Sequence, residues 1–272
     1  MSARVELRRE QETMLMTLYL HARDAESAVP VLGDRFAGGV LAQIDYDFAR
    51  LKALRGNQPI IVARAKAIDD QVRVALAETP DAVVLHLGCG LDSRVLRLAP
   101  GPDVTWIEVD QGPVIELRRR FYPDRDGVRT IAASVVDEGW WDEVPTGRPL
   151  LVVAEGLLMY LPPDAVRSVV TNLAGVEAPR ATLIFDTVAP WVRDVARWQP
   201  NMRRASTGFE SSTRELEDAL RAGGFDREVS SSLVTEAARS TNGALALFIK
   251  LIDAVPPGHR AMMLSRWSRV TS

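Results

Sequence analysis

Residues 1–79 carry apolar side chains at helical spacing. The apolar positions of two predicted helices are Met14, Leu15, Leu18 and Tyr19, followed by Ile60, Ile61, Ala65, Ile68, Val72 and Leu76. A loop over residues 30–39 and a further helix over 41–54 are predicted between them. The pattern ends at the turn-forming sequence Thr79-Pro80-Asp81. We therefore predict a helical N-terminal cap, residues 1–79, in front of a second unit.

After residue 80 the apolar positions form short continuous runs. The predicted strands are Val83–Leu87, Val104–Val109, Thr130–Ala133, Leu150–Ala154 and Thr182–Phe185. The predicted helices are Asp92–Leu98, Gly112–Phe121, Pro163–Ala174 and Ser212–Ala222. Continuous apolar runs suit strands that are covered on both faces of a parallel sheet. Because these runs alternate with helices, they predict a doubly wound, Rossmann-like α/β sheet.

The end of the chain predicts an antiparallel addition to this sheet. Two further strands are predicted over Asp226–Val234 and Ala244–Ile252. The segment between them is too short for a crossover helix, which favours an antiparallel hairpin that completes seven strands. The sheet unit then covers residues 80–255. A C-terminal tail, residues 256–272, remains. Two alternatives are open for this tail, which either packs on the body of the protein or mediates dimerisation.

Charge and composition exclude several classes of protein. The chain has 33 basic and 36 acidic residues, whereas nucleic-acid binders usually have a strong basic excess. Cys89 is the single cysteine, which rules out an internal disulfide and favours a reducing compartment. The histidines His21, His86 and His259 are far apart in the sequence, so we expect no metal site. No apolar run approaches the ~18–20 residues of a membrane span, and we expect a cytoplasmic protein.

A glycine turn between a predicted strand and a predicted helix is the clearest chemical signal. In Leu87-Gly88-Cys89-Gly90, glycine lets a cofactor lie against the backbone, because no Cβ intervenes. A dinucleotide fingerprint would place Gly or Ala where this chain has Ser93. Asp110 follows the next strand, where an acid can accept both hydroxyls of an adenosine ribose. A purely structural turn and a strand-end or N-cap carboxylate are the alternatives.

Two residues after the fourth strand are further candidates. Glu155 follows the strand directly, at the carboxyl edge where open sheets bind ligands. An ion pair with one of the many arginines is the alternative for Glu155. Tyr160 either lines a substrate site or packs in the core. His86 lies inside the first strand and is interpreted as a core residue rather than a base.

Three motifs together resemble the leucine carboxyl methyltransferase family, in its bacterial branch of tetracenomycin-type polyketide O-methyltransferases. They are Leu87-Gly88-Cys89-Gly90-Leu91-Asp92-Ser93-Arg94, Glu108-Val109-Asp110 and Ala154-Glu155-Gly156-Leu157-Leu158-Met159-Tyr160-Leu161. The resemblance extends upstream through Ala63–Asp70 to Asp45–Arg50 and becomes loose near Gly208-Phe209-Glu210. It implies the seven-stranded class I methyltransferase fold and S-adenosylmethionine as the cofactor.

The resemblance also implies cofactor contacts, at Arg64, Gly88, Cys89, Gly90, Asp110, Ser134, Val135 and Glu155. Arg64 would bind the methionine carboxylate, a task suited to a guanidinium. Asp110 would bind the ribose, and Glu155 would face the α-amino group. Ser134 and Val135 would flank the adenine. Because relatives commonly have Asp in place of Ser134, a weaker hydrogen bond to adenine is expected there.

The sequence favours a carboxylate as the methyl acceptor. A carboxylate is already ionised near pH 7, whereas a phenol ionises near pH 10 and needs a base. No catalytic base is evident in the sequence, so the catalytic residues are unknown. Candidate acceptor contacts are Tyr19, Tyr160, Arg193 and Arg197. The two arginines lie in the aromatic and arginine-rich segment Trp191–Arg204, for which an amphipathic surface helix is the alternative.

The combined expectation is an S-adenosylmethionine-dependent O-methyltransferase that acts on a carboxylate of a polyketide-like secondary metabolite. Three alternatives stay open: a phenol O-methyltransferase, a nicotinamide-dependent oxidoreductase and a non-catalytic ligand-binding or scaffold protein. Ser93 and the predicted terminal hairpin argue against the oxidoreductase. The expected partner is a small-molecule acceptor, with no nucleic acid and no membrane, and a homodimer is left open.

Overall fold

Strands and helices alternate through the residues that the computed structural model describes, which are 3–4, 9–198, 208–241, 243–255 and 257–271. The strands are β1 (Ala3–Arg4), β2 (Ile44–Asp45), β3 (Val83–Leu87), β4 (Thr105–Asp110), β5 (Val128–Ala132), β6 (Leu150–Ala154), β7 (Arg180–Val188), β8 (Asp226–Ser232) and β9 (Met262–Val270). The α-helices are α1 (Arg9–Ala25), α2 (Ala37–Leu41), α3 (Gln58–Glu78), α4 (Arg94–Leu98), α5 (Gly112–Phe121), α6 (Pro163–Gly175), α7 (Pro190–Trp198), α8 (Thr213–Ala222), α9 (Leu233–Ser240) and α10 (Gly243–Asp253). Short 3-10 helices cover Phe48–Asn57, Trp141–Glu143, Leu158–Tyr160 and Gly258–Arg260.

Strands β3 to β9 form one seven-stranded sheet in the order β5-β4-β3-β6-β7-β9-β8. The first five strands of that order are parallel, and β9 pairs antiparallel with both β7 and β8. This confirms the predicted fold class. Strands β4 and β5 follow β3 toward one edge of the sheet, and the next strand in sequence, β6, pairs with β3 on its other side. The carboxyl ends of β3 and β6 therefore form the crevice in which such sheets bind ligands.

Side chains that alternate along each strand separate two apolar layers. On one face, Leu85 of β3 belongs to the same buried cluster as Val169 of α6 and Leu216 of α8. On the other face, Val84 belongs to a cluster with Ile68 and neighbouring side chains of α3. Helix α3 therefore lies directly on the sheet, and its first turns reach the carboxyl edge of β3 and β6.

The N-terminal helices form a third apolar cluster above this edge. Leu15 and Leu20 of α1 are fully buried, and Leu91 from the turn after β3 packs among the same residues. The predicted continuous helix over 41–54 is wrong. Asp47 accepts a hydrogen bond from the backbone N–H of Ala49 and starts a separate 3-10 helix at Phe48. Among the described residues, none of the helices combines the length and the apolar character needed to span a bilayer.

The position of the last predicted strand is also wrong. Residues Ala244–Ile252 lie in helix α10, and the strand that pairs with β8 is Met262–Val270, inside the segment assigned to a tail. A short apolar run fits a helix and a buried strand equally well, so its periodicity could not decide. Helices α9 and α10 fill the connection that was expected to be a tight hairpin. The 80–255 boundary consequently cuts off a strand of the sheet.

Candidate active site

A cavity of about 420 Å³ opens at the carboxyl ends of β3, β4 and β6, beneath helix α1. The turn after β3 contributes Gly88, Cys89 and Gly90 to its wall. The ends of β4 and β6 contribute Asp110 and Glu155. The predicted motif residues therefore meet in one place, although they are separated by up to 67 positions in the sequence.

The turn after β3 depends on its two glycines. Gly88 and Gly90 have φ values of +60° and +51°, in the left-handed region that disfavours other residues. A Cβ on Gly88 would lie 3.0 Å from Cδ1 of Leu157, and a Cβ on Gly90 would lie 3.3 Å from Cγ of Met14. Burial raises the pKa of the Cys89 thiol, which therefore stays protonated. The turn offers backbone rather than a nucleophile to the cavity.

The Asp110 carboxylate is held in a fixed orientation at the end of β4. Its Oδ2 accepts the backbone N–H of Gly90 at 2.8 Å, and its Oδ1 accepts that of Gln111 at 2.8 Å. Burial raises the pKa of Asp110 despite these two hydrogen bonds. Since each carboxylate oxygen has two acceptor sites, one site on each oxygen is left for the hydroxyl groups of a ligand.

Arg64 of α3 reaches into the cavity across the end of β6. Its Nε donates to Oε1 of Glu155 at 2.9 Å, and its Nη1 donates to Oδ2 of Asp186 at 3.3 Å. Burial opposes its charge, but these two carboxylates raise its pKa above the usual range. A Cβ on Gly156 would lie 3.2 Å from Nη1, so a glycine here leaves the guanidinium room to lie against the backbone.

Glu155 is shared between two guanidinium groups. Its second oxygen, Oε2, accepts Nη2 of Arg94 at 2.5 Å. Burial would raise the pKa of Glu155, but Arg64 and Arg94 lower it to about 2. Glu155 therefore remains ionised, in an ion pair that the sequence analysis left as one of two alternatives.

These residues belong to a larger buried ion network that the sequence did not reveal. Arg94 and Arg97 donate from Nε to the two oxygens of Asp69 at 2.7 Å and 2.9 Å. Both also bond Asp92, at 3.0 Å and 2.6 Å, and Arg97 reaches Asp34 at 3.1 Å. The guanidinium groups of the network are Arg64, Arg94 and Arg97, and its carboxylates are Asp34, Asp69, Asp92, Glu155 and Asp186. With every group ionised, five carboxylates against three guanidiniums give a formal charge of −2, and burial raises the pKa of one of the carboxylates, Asp186.

Two buried histidines lie beside this network. His86 of β3 places Nε2 3.2 Å from Nη1 of Arg94. Burial, and then the charge of Arg94, lower the pKa of His86 to about 3. His86 is therefore a neutral packed residue, as interpreted from the sequence. His21 of α1 faces the carboxylate of Asp34 across 3.6 Å, a pairing that the sequence analysis missed.

Comparison with known proteins identifies the family. A model of the leucine carboxyl methyltransferase family matches residues 15–174. The tetracenomycin polyketide synthesis O-methyltransferase TcmP of Streptomyces glaucescens is 45% identical over 202 residues, which cover 73% of each chain. The chain belongs to the leucine carboxyl methyltransferase family. The S-adenosyl-L-methionine-dependent methyltransferase dpfgK of Gibberella zeae is 36% identical over 62% of each chain.

Solved structures agree with this family in their fold. A methyltransferase from Thermobifida fusca superimposes with a TM-score of 0.63 at 19% identity, over 93% of this chain and 94% of that one. Geranyl diphosphate methyltransferase in complex with S-adenosylmethionine gives 0.52 at 12% identity, over 80% and 90%. The protein is thus an S-adenosylmethionine-dependent methyltransferase, as expected, and the oxidoreductase alternative is set aside.

Four residues expected near the ligands lie outside the cavity wall of this family member. Ser134 and Val135 follow β5, where the Ser134 carbonyl accepts Nε1 of Trp140 at 3.0 Å and Val135 is buried in the sheet core. The Tyr19 hydroxyl instead accepts two N–H groups of Arg55, at 3.0 Å and 2.8 Å. Arg193 of α7 donates to Glu215 at 2.7 Å and to Asp194 at 3.0 Å. The side chain of Arg197 lies outside the described residues.

Tyr160 is the predicted acceptor contact that does line the cavity. Its ring lies 5.3 Å from that of Phe209, between centroids, in a tilted arrangement. Tyr160 therefore gives the cavity an aromatic side, and Phe209 packs against its ring. Met14, Thr17 and neighbouring residues of α1 form its roof, and the sequence analysis did not single them out as ligand contacts.

Proposed function

We propose that this protein transfers the methyl group of S-adenosylmethionine to a carboxylate oxygen of a small, largely apolar acceptor. The observation that carries the proposal is the cavity beneath α1. One part of its wall holds the glycine turn, Asp110 and Arg64, and the rest is largely apolar or aromatic. A cofactor and an acceptor can therefore lie side by side in the same cavity.

The part of the cavity wall that holds the glycine turn, Asp110 and Arg64 fits the cofactor. The glycine turn is a cradle that any Cβ would fill, at Gly88 and Gly90. Asp110 keeps two acceptor sites for the ribose hydroxyls, and Arg64 lies where a guanidinium can meet the methionine carboxylate. Glu155 stays ionised beside Arg64 and offers negative charge to the α-amino group. This assignment follows the roles that the family resemblance implies.

When bound, the cofactor supplies a sulfonium methyl group, an electrophile that needs no activation by the protein. The residues of the cavity must hold the acceptor oxygen in line with that methyl group and exclude water. Alignment of this kind can lower a barrier by about 7–11 kcal/mol. A carboxylate acceptor is ionised near pH 7 and requires no proton removal, so positioning is sufficient for it.

The roof and the aromatic side favour a flat apolar acceptor. Met14 and Met16 of α1 are flexible and polarisable, and such side chains adapt to irregular ligands. Leu157 and Tyr160 face the same space. A polyketide-like aromatic acid matches this surface, in keeping with the name of the relative from Streptomyces glaucescens.

The experiment compares two acceptors that share one ring system. 2-Naphthoate offers a carboxylate and 2-naphthol offers a hydroxyl group. We expect formation of S-adenosylhomocysteine and of a methylated product with 2-naphthoate and little turnover with 2-naphthol. Turnover of the naphthol alone would establish the phenol alternative. Binding of S-adenosylhomocysteine without any turnover would leave the non-catalytic alternative.

A further inference from the structure

His21 is a buried imidazole on the roof of the cavity with one nitrogen near a carboxylate and the other unpaired. It is 1% exposed and lines the cavity. Its Nδ1 lies 3.6 Å from Oδ2 of Asp34. Its Nε2 is buried and has no hydrogen-bond partner among the described residues. A buried polar atom without a partner is uncommon and calls for a ligand or a change of state.

Asp34 is well suited to orient this imidazole. Its Oδ1 accepts Oγ of Ser93 at 2.6 Å and the backbone N–H of Phe36 at 3.1 Å. Its Oδ2 accepts Nη1 of Arg97 at 3.1 Å. Burial opposes ionisation, but His21, Arg97 and Ser93 together lower the pKa of Asp34. A carboxylate fixed in this way attracts Nδ1 electrostatically across 3.6 Å and leaves Nε2 for a ligand.

The charges of the cavity wall do not otherwise suit an acceptor carboxylate. Its described anions are Asp92, Asp110 and Glu155, and its one permanent cation among the described residues is Arg64. Arg64 is bonded to Glu155 and to Asp186, and its remaining donors are assigned to the methionine carboxylate of the cofactor. An acceptor carboxylate therefore needs another positive partner. His21 can supply that charge, whereas His86, with a pKa lowered to about 3, stays neutral.

Carboxylates lie close to His21. Asp34 and Asp92 each have an oxygen within 4.8 Å of an imidazole nitrogen. Arg97 bonds both of these carboxylates, and Arg94 bonds Asp92. An imidazolium can donate to a carboxylate and cannot accept a phenol proton.

The same cluster does not suit a metal ion. His21, Asp34 and Asp92 are close enough together to hold one. However, Nη1 of Arg97 donates to both Asp34 and Asp92, at 3.1 Å and 2.6 Å. The guanidinium already occupies one oxygen of each carboxylate on that side, and a metal ion would have to lie against its positive charge.

We propose that His21 in its protonated form donates a hydrogen bond from Nε2 to the acceptor carboxylate, while Asp34 holds Nδ1. This rests on the proposed function, since it assigns a residue to the acceptor end of the same cavity. Because Nε2 is covered in this structure, α1 must shift slightly as the acceptor enters. Acceptor binding then takes up a proton from solution whenever His21 is neutral beforehand.

The first test is proton uptake, measured on the wild-type protein. 2-Naphthoate is titrated calorimetrically into the protein saturated with S-adenosylhomocysteine, in buffers of different ionisation enthalpy. The measurements cover about pH 5 to 8, and we expect net proton uptake that increases with pH, because an imidazole that donates from both nitrogens carries a proton on each. Naphthoate binding without proton uptake overturns the assignment of His21 and leaves the proposed function standing. No naphthoate binding at all contradicts both, and turnover of 2-naphthoate tests the proposed function on its own.

The second test uses His21→Gln, which keeps a neutral donor, with His259→Gln as the matched control. His259 is half exposed, pairs with Asp253 at 2.9 Å, and does not line the cavity. For wild type and the control, kcat/KM for 2-naphthoate falls as the pH rises through the same range. His21→Gln removes this dependence and lowers kcat/KM roughly 10- to 100-fold, mainly through KM, as for a lost charge-assisted hydrogen bond.

Two outcomes contradict the assignment here. A kcat/KM that rises with pH in the wild type and becomes flat in His21→Gln would make His21 a general base. An unchanged pH profile in a His21→Gln protein that still binds S-adenosylhomocysteine would remove His21 from the acceptor site. Turnover of 2-naphthoate in that second case would leave the proposed function intact.

Discussion

Replacement of Asp110 by alanine tests the cofactor end of the cavity. In the wild type the carboxylate is fixed by two backbone N–H groups, from Gly90 and Gln111, and keeps one acceptor site on each oxygen. Hydrogen bonds to a charged group contribute about 1.5–3 kcal/mol, so the loss of the ribose contacts should cost about that much. Because every 1.4 kcal/mol is tenfold, affinity should fall roughly 10- to 150-fold.

The assay is calorimetric titration with S-adenosylhomocysteine. Asp142→Ala is the matched control, since Asp142 is exposed and remote from the cavity wall. The control should bind like the wild type. In the Asp110→Ala protein the backbone N–H of Gly90 loses its hydrogen-bond partner. Circular dichroism is therefore used to check that this variant is folded. A folded Asp110→Ala protein with unchanged affinity would refute the placement of the ribose at Asp110.

Three further predictions concern the glycine turn, the ion network and the roof. Gly88→Ala should lose binding of S-adenosylhomocysteine and about 1–2 kcal/mol of stability, since alanine disfavours a φ of +60° and its Cβ would meet Leu157. Calorimetry measures the binding, and urea unfolding measures the stability. Normal binding would contradict the role of the glycine turn as a cradle for the cofactor. Glu155→Gln should lower the free energy of unfolding by about 1.5–3 kcal/mol, because Arg64 and Arg94 lose a charged hydrogen-bond partner but keep their other carboxylates. Since the pKa of Glu155 in the folded protein is lowered to about 2, its stabilisation is present above its ordinary pKa near 4.5 and is lost as the pH falls toward 2. Thermal unfolding across this range should show a melting temperature that depends less steeply on pH in the variant than in the wild type. Parallel plots of melting temperature against pH would contradict the pairing. Deletion of residues 1–50 removes the roof and should abolish turnover while circular dichroism still shows a folded sheet; full activity of the truncated protein would show that α1 does not enclose the acceptor.

The sheet up to β7 was predictable because its strands are continuous apolar runs. Strands β3 and β6 have the predicted bounds, and both are buried along their whole length. Strand β9 was missed because its sequence includes Ser265, Arg266 and Ser268, which look like surface residues but are buried. Arg266 forms ion pairs there with Glu78 and Glu228, which come from distant parts of the chain. Such pairing cannot be read from local periodicity.

In the candidate site, too, some features were predictable from the sequence and others were not. The glycine turn, Asp110 and Glu155 follow strands directly, so their meeting at one edge could be expected from the order of the elements. The pairing of His21 with Asp34 could not be predicted from the sequence, because it depends on how the loop after α1 folds. Asp24 accepts the backbone N–H groups of three consecutive loop residues, 31–33, each at 2.9 Å, and turns the chain back toward α1.

Ser93 shows how a departure from a motif can be informative. Its position is the one at which a dinucleotide fingerprint has Gly or Ala, and the sequence analysis used it only as evidence against a nicotinamide cofactor. In the structure its hydroxyl donates to Asp34 at 2.6 Å and accepts Nη1 of Arg97 at 3.0 Å. The serine therefore helps to hold the carboxylate that faces His21.

The most direct test of the proposed function uses one molecule that offers both kinds of oxygen. 3-Hydroxy-2-naphthoate carries a carboxylate and a phenolic hydroxyl on the same flat ring. The protein is supplied with this acceptor and with S-adenosylmethionine labelled at its methyl group, and NMR identifies the oxygen that receives the label. The account predicts the methyl ester. Label on the phenolic oxygen, as a methyl ether, would contradict carboxylate transfer and the role assigned to His21.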